Sequence, residues 1–103
     1  MEKKPNPLDL TYLMLHPVRR RIIDIMRSKG SVHIAQAADE LGITPKVASF
    51  HIAMLLQYKL VEGKWGTAKT GKGGERAVKY YSLTELARES MRKAKEWLET
   101  QLS

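Results

Sequence analysis

The strongest constraint on the fold is a stretch, residues 34–61, in which two short helical patterns are separated by a turn. In the first pattern, apolar residues recur at helical spacing, which gives the segment one apolar face. Gly42 interrupts that pattern and is free to take the left-handed conformation that closes a helix. Thr44 and Pro45 restart it, because a hydroxyl caps a helix and proline suits its first turn. The sequence therefore predicts two helices joined by a tight turn.

The second of these helices has one face for the core and one for solvent. The residues expected in the core are Val47, Ala48, Ile52 and Leu55. The residues expected to point outward are Lys46, Ser49, Phe50 and Ala53. Two helices that share a core, while the second offers its outer face, form a helix-turn-helix, whose second helix enters the major groove of DNA. DNA binding is therefore the leading prediction.

This stretch resembles the helix-turn-helix of the ArsR-like winged-helix repressors. Their pattern has Ser-x-His-Leu within the second helix and Gly-Leu-Val after it, and the matching residues here are Ser49, His51, Ile52, Leu55, Leu60 and Val61. Residues 16–23 resemble the start of an earlier helix of the family, with Arg19 at its usual arginine. Residues 78–84 resemble the returning wing strand and the cap of the last helix. One departure is Lys59, where the family usually has a glycine.

The resemblance covers residues 8–103 and implies a mainly α fold with a small β-hairpin wing, dimerised through its terminal helices. At 103 residues the chain is long enough for one domain. The predicted organisation is a flexible N-terminus at 1–7 and a winged helix-turn-helix domain at 8–103. Within that domain, the predicted segments are a helix-turn-helix at 34–58, a wing at 60–83 and a dimerisation helix at 84–102.

Composition agrees with a nucleic-acid partner. Eighteen Lys and Arg against 11 Asp and Glu give a net charge of +7 and a pI of about 9.8, in the range of DNA-binding domains, although charge alone is unspecific. The sequence has no cysteine, which excludes disulfides and thiolate metal sites. No apolar run approaches the ~18 residues of a membrane span, and the first ten residues lack the apolar stretch of a signal peptide. We therefore expect a cytoplasmic protein.

The wing is predicted as two strands, Leu60–Trp65 and Arg76–Leu83, around a long flexible tip at 66–75 that holds four glycines. Five cations against one carboxylate give residues 64–79 a surplus of four charges (5 − 1). The tip lacks the G-x-x-x-x-G-K-[ST] pattern of a mononucleotide-binding loop. A cationic finger along the DNA backbone or in a minor groove is the better interpretation.

These patterns give a candidate DNA-binding set. Its members are Thr44, Pro45, Lys46, Ser49, Phe50, Ala53, Lys64, Lys69, Lys72 and Arg76. Of the four outward helix residues, only two have side chains that donate hydrogen bonds, so direct base readout should be modest and DNA shape should contribute more. Arg19, Arg20 and Arg21 would bind phosphates if they face the groove, unless one of them pairs with a carboxylate inside the domain.

The last helix carries apolar residues at alternating intervals of four and three, a seam of coiled-coil type. Its cap is predicted to be Thr84 or Ser82, with Glu85 completing a capping box from Ser82. A second stripe lies in a short helix that Asp9 opens and that ends at His16. The seam either packs on its own domain or joins a second copy, and the resemblance favours a homodimer. The predicted interface residues are Leu10, Leu13, Met14, Ala87, Met91, Ala94, Leu98 and Leu102.

The histidines do not form a convincing metal site. His51 matches the buried helix histidine of the family, and His16 is expected to cap or precede a helix. His33 aligns with the first cysteine of the metal-sensing members, whose second cysteine falls at Ala35. Zinc requires three or four ligands, so we expect no metal and no cofactor. No Ser-His-acid arrangement is present and one small domain leaves little room for a cleft, so we expect no enzyme.

The predicted function is that of a sequence-preferring regulator of transcription that binds double-stranded DNA, a repressor that occludes a promoter. Its predicted partners are double-stranded DNA and a second copy of itself, with no membrane. Two alternatives remain at this level. One is a low-specificity architectural DNA binder, favoured by the cationic wing and by the poorly polar outer face of the second helix. The other is a protein-interaction winged helix that uses Phe50 to dock on another protein.

Overall fold

The structure is a computed structural model and describes residues 7–102. The helices of this part of the chain are α1 (Pro7–Met14), α2 (Pro17–Lys29), α3 (Ile34–Leu41), α4 (Pro45–Gln57) and α5 (Glu85–Leu102). The strands are β1 (Val61–Lys69) and β2 (Glu75–Leu83), which lie between α4 and α5 in the chain. A mainly α fold with one β-hairpin was predicted, and it is confirmed.

Helix α1 differs at both ends from its prediction. It begins at Pro7, so Asp9 lies inside the helix and does not cap it. It ends at Met14 because Pro17 disfavours a helical conformation at the preceding residue. His16 caps α2 instead, where its Nδ1 accepts a hydrogen bond from the Val18 N–H at 3.2 Å. The predicted flexible N-terminus, residues 1–7, lies outside the described residues except for Pro7.

The turn between α3 and α4 has the predicted geometry. Gly42 adopts the left-handed conformation, with φ 65° and ψ 33°. The N–H of Ile43 donates to the carbonyl of Ala38 at 3.1 Å, which completes a Schellman closure of α3. Thr44 then caps α4 by accepting from the Val47 N–H at 3.2 Å. The helix-turn-helix therefore rests on one glycine and one hydroxyl.

Helix α4 ends by the same motif without a glycine. The N–H of Leu60 donates to the Leu55 carbonyl at 2.9 Å, and the N–H of Lys59 donates to the Leu56 carbonyl at 3.0 Å. Lys59 has a φ of 60°. Among the described residues, it is the only one besides glycines that has a positive φ. The usual family glycine is therefore replaced, but the left-handed exit from the helix is kept.

The wing is longer and its tip shorter than predicted. Strands β1 and β2 pair antiparallel from Val61 opposite Leu83 to Lys69 opposite Glu75. The turn is confined to residues 70–74, where the N–H of Thr70 donates to the Gly74 carbonyl at 2.7 Å. The prediction of a long flexible tip at 66–75 was wrong. The nine pairs of the ladder hold residues 66–69 and 75 in strands despite the glycines nearby. Beside the wing, Val32 forms an isolated antiparallel bridge with Tyr81.

Thr84 connects the end of α4 to the start of α5. Its Oγ1 accepts from the Ala87 N–H at 3.2 Å and donates to the Lys59 carbonyl at 2.7 Å. Thr84 is therefore the cap of α5. The predicted capping box was wrong, because Ser82 lies within β2. One hydroxyl thus links the end of α4 to the first turn of α5.

Both terminal helices contribute to the core of their own chain. Leu10, Met14 and Ala87 are buried there, and Leu13 and Met91 pack against the same cluster. A domain of this size needs the first half of α5 to cover its core. Five of the eight residues predicted at a dimer interface therefore serve the core of their own chain, whereas Leu98 and Leu102 are exposed and Ala94 is half-buried.

Candidate nucleic-acid interface

The outer face of α4 is open to solvent. Its exposed residues include the four predicted ones, Lys46, Ser49, Phe50 and Ala53. The Phe50 side chain is 58% exposed, and its ring meets the His51 ring edge-on at a centroid distance of 5.2 Å. The helix therefore presents a cation, a hydroxyl and an apolar ring on one surface.

Val47 belongs to this surface, although it was expected in the core. It is 40% exposed. The buried stripe of α4 runs through Ala48, Ile52 and Leu55, and Val47 lies about 100° around the helix from Ala48. The prediction was wrong because it assigned an apolar side chain to the core by residue type.

The N-terminus of α4 adds a site for an anion. Thr44 and Pro45 are both exposed at this end. Pro45 has no N–H and the Val47 N–H is bonded to Thr44, so the Lys46 N–H is the donor left in the first turn. The helix dipole favours negative charge there. The exposed Lys46 follows directly. This end of the helix therefore suits a phosphate as well as a base edge.

His51 supports the outer face of α4 from beneath and is 7% exposed, in the structural position that was predicted. Its Nδ1 accepts a hydrogen bond from the Nε of Arg19 at 3.2 Å. Arg19 also donates through Nη1 to the Leu13 carbonyl at 3.2 Å. The ring of His16 lies 4.6 Å from that of His51. These contacts connect the recognition helix to the start of α2.

The same contacts keep His51 neutral. Burial, followed by the effects of His16 and Arg19, lowers the pKa of His51 below its usual value of 6.5. A neutral ring retains the lone pair on Nδ1 that Arg19 needs as an acceptor. Protonation would remove that acceptor and place a second cation beside the guanidinium. The arrangement is therefore structural and sensitive to acid.

The arginine cluster of α2 divides into two roles. Arg19 is held inside the domain by a histidine and a carbonyl, not by the carboxylate that was considered as its partner. Arg20 and Arg21 are exposed. In the described residues, neither forms an ion pair. Two of the three arginines are thus open to an anionic partner.

The predicted cations of the wing are all exposed but lie at different places on it. Lys64 and Arg76 share one face of the hairpin, since strand residues alternate between faces and these two belong to the pairs Lys64 opposite Tyr80 and Ala68 opposite Arg76. Lys69 lies on the other face, opposite Glu75. Lys72 occupies the turn. The cations therefore surround the hairpin instead of forming a single stripe.

Charge pairing differs between the wing and α5. On α5, Arg92 forms ion pairs with Glu89 and with Glu96, the latter at 2.6 Å. Within residues 7–102, no ion pair involves the cations of the wing or Lys46. Unpaired positive charge is therefore present on the wing and at the start of α4, in addition to the arginines of α2 and to Arg88 and Lys95 on α5.

The remaining histidine has a structural partner. His33 caps α3 by accepting from the Gln36 N–H at 3.3 Å, and its ring meets Tyr80 edge-on. In the part of the chain that the structure describes, no group of three His, Cys, Asp or Glu side chains is placed to hold a metal ion. In that same part, no helix is both long and apolar enough to cross a membrane.

Comparison with known proteins identifies the class of this fold. Residues 14–64 match the family described as a helix-turn-helix domain. A transcriptional regulator homologue from Pyrococcus horikoshii OT3 is 20% identical, with 89% of this chain and 86% of that one covered and a TM-score of 0.68. An ArsR family transcriptional regulator is 19% identical, with 99% and 93% covered and a TM-score of 0.62. An antimony-specific transcriptional repressor is 14% identical, with 93% and 80% covered and a TM-score of 0.58.

These matches cover the helix-turn-helix, the wing and the terminal helices. No curated protein matches the chain in sequence. Residues 14–64 match the helix-turn-helix domain family, and the described chain has the fold of a winged helix-turn-helix protein. The resemblance seen in the sequence is confirmed.

Proposed function

We propose that this protein is a transcriptional regulator that binds double-stranded DNA. The observation that carries the proposal is the coincidence of an open outer face on α4 with unpaired positive charge on the adjacent wing. Phosphate contacts by Lys and Arg supply most of the affinity of such a protein for DNA. The helix-turn-helix family match and the regulator neighbours support the same function. We propose no catalytic role.

Helix α4 is the element proposed to read the bases. Lys46 and Ser49 have side chains that donate hydrogen bonds to base edges, and Phe50 fits against a thymine methyl group. Val47 and Ala53 add apolar surface beside them. Because so few of these side chains hydrogen-bond, a large share of the sequence preference should come from DNA shape and deformability.

The wing and the start of α2 are proposed as anchors. Lys64, Lys69, Lys72 and Arg76 contact phosphates in this account, and they fix the position of α4 on the duplex without specifying sequence. Arg20 and Arg21 are further candidates on α2. Cations that surround the hairpin fit a ribbon lying against the backbone of a duplex, where phosphates are present on more than one side.

We further propose that the protein acts in the cytoplasm as a homodimer and represses transcription by occluding a promoter. The terminal helices α1 and α5 pack together within one chain. Apolar side chains stay exposed here, among them Leu98 and Leu102 on α5 and Leu15 directly after α1. A second copy related by a two-fold axis would cover them. Two recognition helices would then meet half-sites about one helical turn apart on an inverted repeat.

Selection from a pool of random duplexes tests the proposal. The protein, held at a fixed moderate salt concentration, should enrich duplexes that carry an inverted repeat. The enriched duplex should bind at least about 1,000-fold more tightly than a shuffled one, as specific sites do. Binding without enrichment would favour an architectural DNA binder. The absence of any duplex binding at low salt would favour a protein-interaction role instead.

A further inference from the structure

One large side chain of the wing, that of Trp65, is not among the DNA contacts proposed so far. Trp65 lies in β1 opposite Lys79 and is 71% exposed. Its neighbours on the same face toward the tip are Thr67 and, across the ladder, Ala77. Both are small and exposed. The indole therefore stands above the surface of the hairpin.

A second aromatic residue on the wing, Tyr80, has contacts within the fold that Trp65 lacks. Tyr80 lies against Gly66, where an added Cβ would meet its ring at 3.0 Å. Its hydroxyl donates to the Thr67 carbonyl at 2.9 Å, and its ring meets His33. In residues 7–102, the Trp65 side chain has neither a hydrogen bond nor a contact with another ring, and it contacts Lys79. Tyr80 thus serves the fold, whereas Trp65 leaves a large apolar face to solvent.

The contact with Lys79 orients the indole. The Nζ of Lys79 lies 5.7 Å from the centre of the Trp65 ring, within range of a cation–π interaction. The stem of Lys79 occupies the space above Gly63, where a Cβ would lie 2.7 Å from Cε. Glycine at this position therefore lets the lysine lie flat beside the tryptophan. The pair forms a preorganised surface with an apolar ring and a charge side by side.

Charge around the ring indicates its partner. A single exposed apolar side chain needs no explanation by itself. Here Lys79 contacts the ring, and Lys69 shares its face together with Glu75, whereas Lys64 lies on the opposite face. None of these three lysines forms an ion pair among the described residues. A partner that covers the ring must accept these charges. A polyanion with an apolar component fits both requirements, and the sugar edges of a DNA groove between two phosphate chains have that chemistry.

We propose that Trp65 is a DNA-contacting residue of the wing, which packs its ring against the sugar edge of a minor groove while Lys69 and Lys79 meet the flanking phosphates. This inference rests on the proposed function. It adds a non-ionic anchor to a wing that otherwise binds only through charge. The wing begins where the recognition helix ends, so the ring would contact DNA next to the bases that α4 contacts.

Tryptophan fluorescence tests the contact without altering Trp65. The chain has two tryptophans, so Trp97→Phe leaves Trp65 as the sole indole reporter. Duplex DNA added to this variant should change the emission of Trp65 and protect it from acrylamide, in step with the anisotropy of the labelled duplex. In the matched variant Trp65→Phe, the emission of Trp97 should stay constant through the same titration.

A salt series with Trp65→Ala gives an independent test. Loss of a non-ionic contact should weaken binding about 10-fold, or roughly 1.4 kcal/mol, at every salt concentration. The slope of log affinity against log salt should not change, whereas Lys72→Ala should flatten it by about one unit. Thermal unfolding of the variant checks that the hairpin is intact.

Two results would overturn the inference in different ways. Anisotropy that reports DNA binding while Trp65 keeps its emission and its access to acrylamide would refute the contact and leave the proposed function intact. Absence of DNA binding by the Trp97→Phe and unaltered chains would refute both. A Trp65 response to anionic lipid vesicles, with none to duplex DNA, would assign the ring to a membrane surface and also reject the proposal.

Discussion

Lys59 offers a sensitive test of how the recognition helix is held. It has a φ of 60° at the end of α4, in a motif that glycine usually completes. We expect Lys59→Gly to stabilise the protein and Lys59→Ala to leave its stability nearly unchanged. Alanine retains the Cβ that is strained in this conformation but removes the charge. The comparison of glycine with alanine therefore isolates the backbone.

The size of the effect follows from two opposing terms. The left-handed conformation costs a residue with a Cβ roughly 1–2 kcal/mol. Glycine loses more conformational freedom on folding, which offsets roughly 0.5–1 kcal/mol of that gain. The Lys59→Gly variant should therefore be more stable than Lys59→Ala by about 1 kcal/mol, which corresponds to about 4–8 °C in Tm for a domain of this size. The side chain is exposed, so lost packing adds little.

Urea denaturation at one fixed protein concentration measures the difference, since dimerisation would make the midpoint depend on concentration. The midpoint should rise for Lys59→Gly with an unchanged m-value. Equal stability of the glycine and alanine variants, or lower stability of the glycine variant, would refute the left-handed exit and with it the Schellman closure of α4.

Three further predictions concern Thr84, His51 and the end of α5. Thr84→Ala should lower the free energy of unfolding by about 1–2 kcal/mol, because α5 loses its cap, while Thr84→Ser retains most of it; urea midpoints distinguish them. As its pKa is lowered in the folded state, His51 contributes stability that is present above pH 6.5 and is lost on acidification through the folded pKa. The non-titrating His51→Gln should show a smaller loss of stability between neutral and mildly acidic pH, and an equal loss would exclude His51. Leu98→Glu with Leu102→Glu should yield a monomer in sedimentation analysis, because these exposed residues do not serve the core; a retained dimer would place the interface elsewhere.

Local chemistry made the helix-turn-helix predictable. Gly42 and Thr44 each satisfy a need of the backbone within a few residues of themselves, as a left-handed turn and as a helix cap. The burial of His51 was also predicted, on family resemblance. Such features depend little on distant parts of the chain.

Features set by tertiary contacts were not predictable in the same way. The glycines of the wing suggested a loose tip, but Gly66 lies under the Tyr80 ring and belongs to a strand. The heptad seam of α5 suggested a partner along its whole length, but Ala87 is buried in its own core. In both cases a short pattern fits two structures, and a residue far away in sequence decides between them.

The arginines of α2 show the same limit at the candidate site. Three consecutive side chains have the same charge, yet Arg19 turns inward to a histidine 32 residues away. When side chains of the same type follow one another along a helix, the sequence does not tell which of them points toward the core unless the buried face of the helix is known. Trp65 was missed for a related reason, since an aromatic residue in a strand pattern is usually counted toward the core.

We propose that α4 reads bases while the wing binds the DNA backbone, and a salt titration of two variants distinguishes these two roles. Lys69→Ala with Lys72→Ala should weaken binding equally on the selected duplex and on random DNA, and should flatten the log–log salt dependence by about two units. Ser49→Ala with Phe50→Ala should instead cost roughly 1–3 kcal/mol per base contact on the selected duplex and leave random DNA and the salt slope unchanged. Loss of discrimination in the wing variant, with only salt-dependent loss in the helix variant, would show that the two roles are reversed.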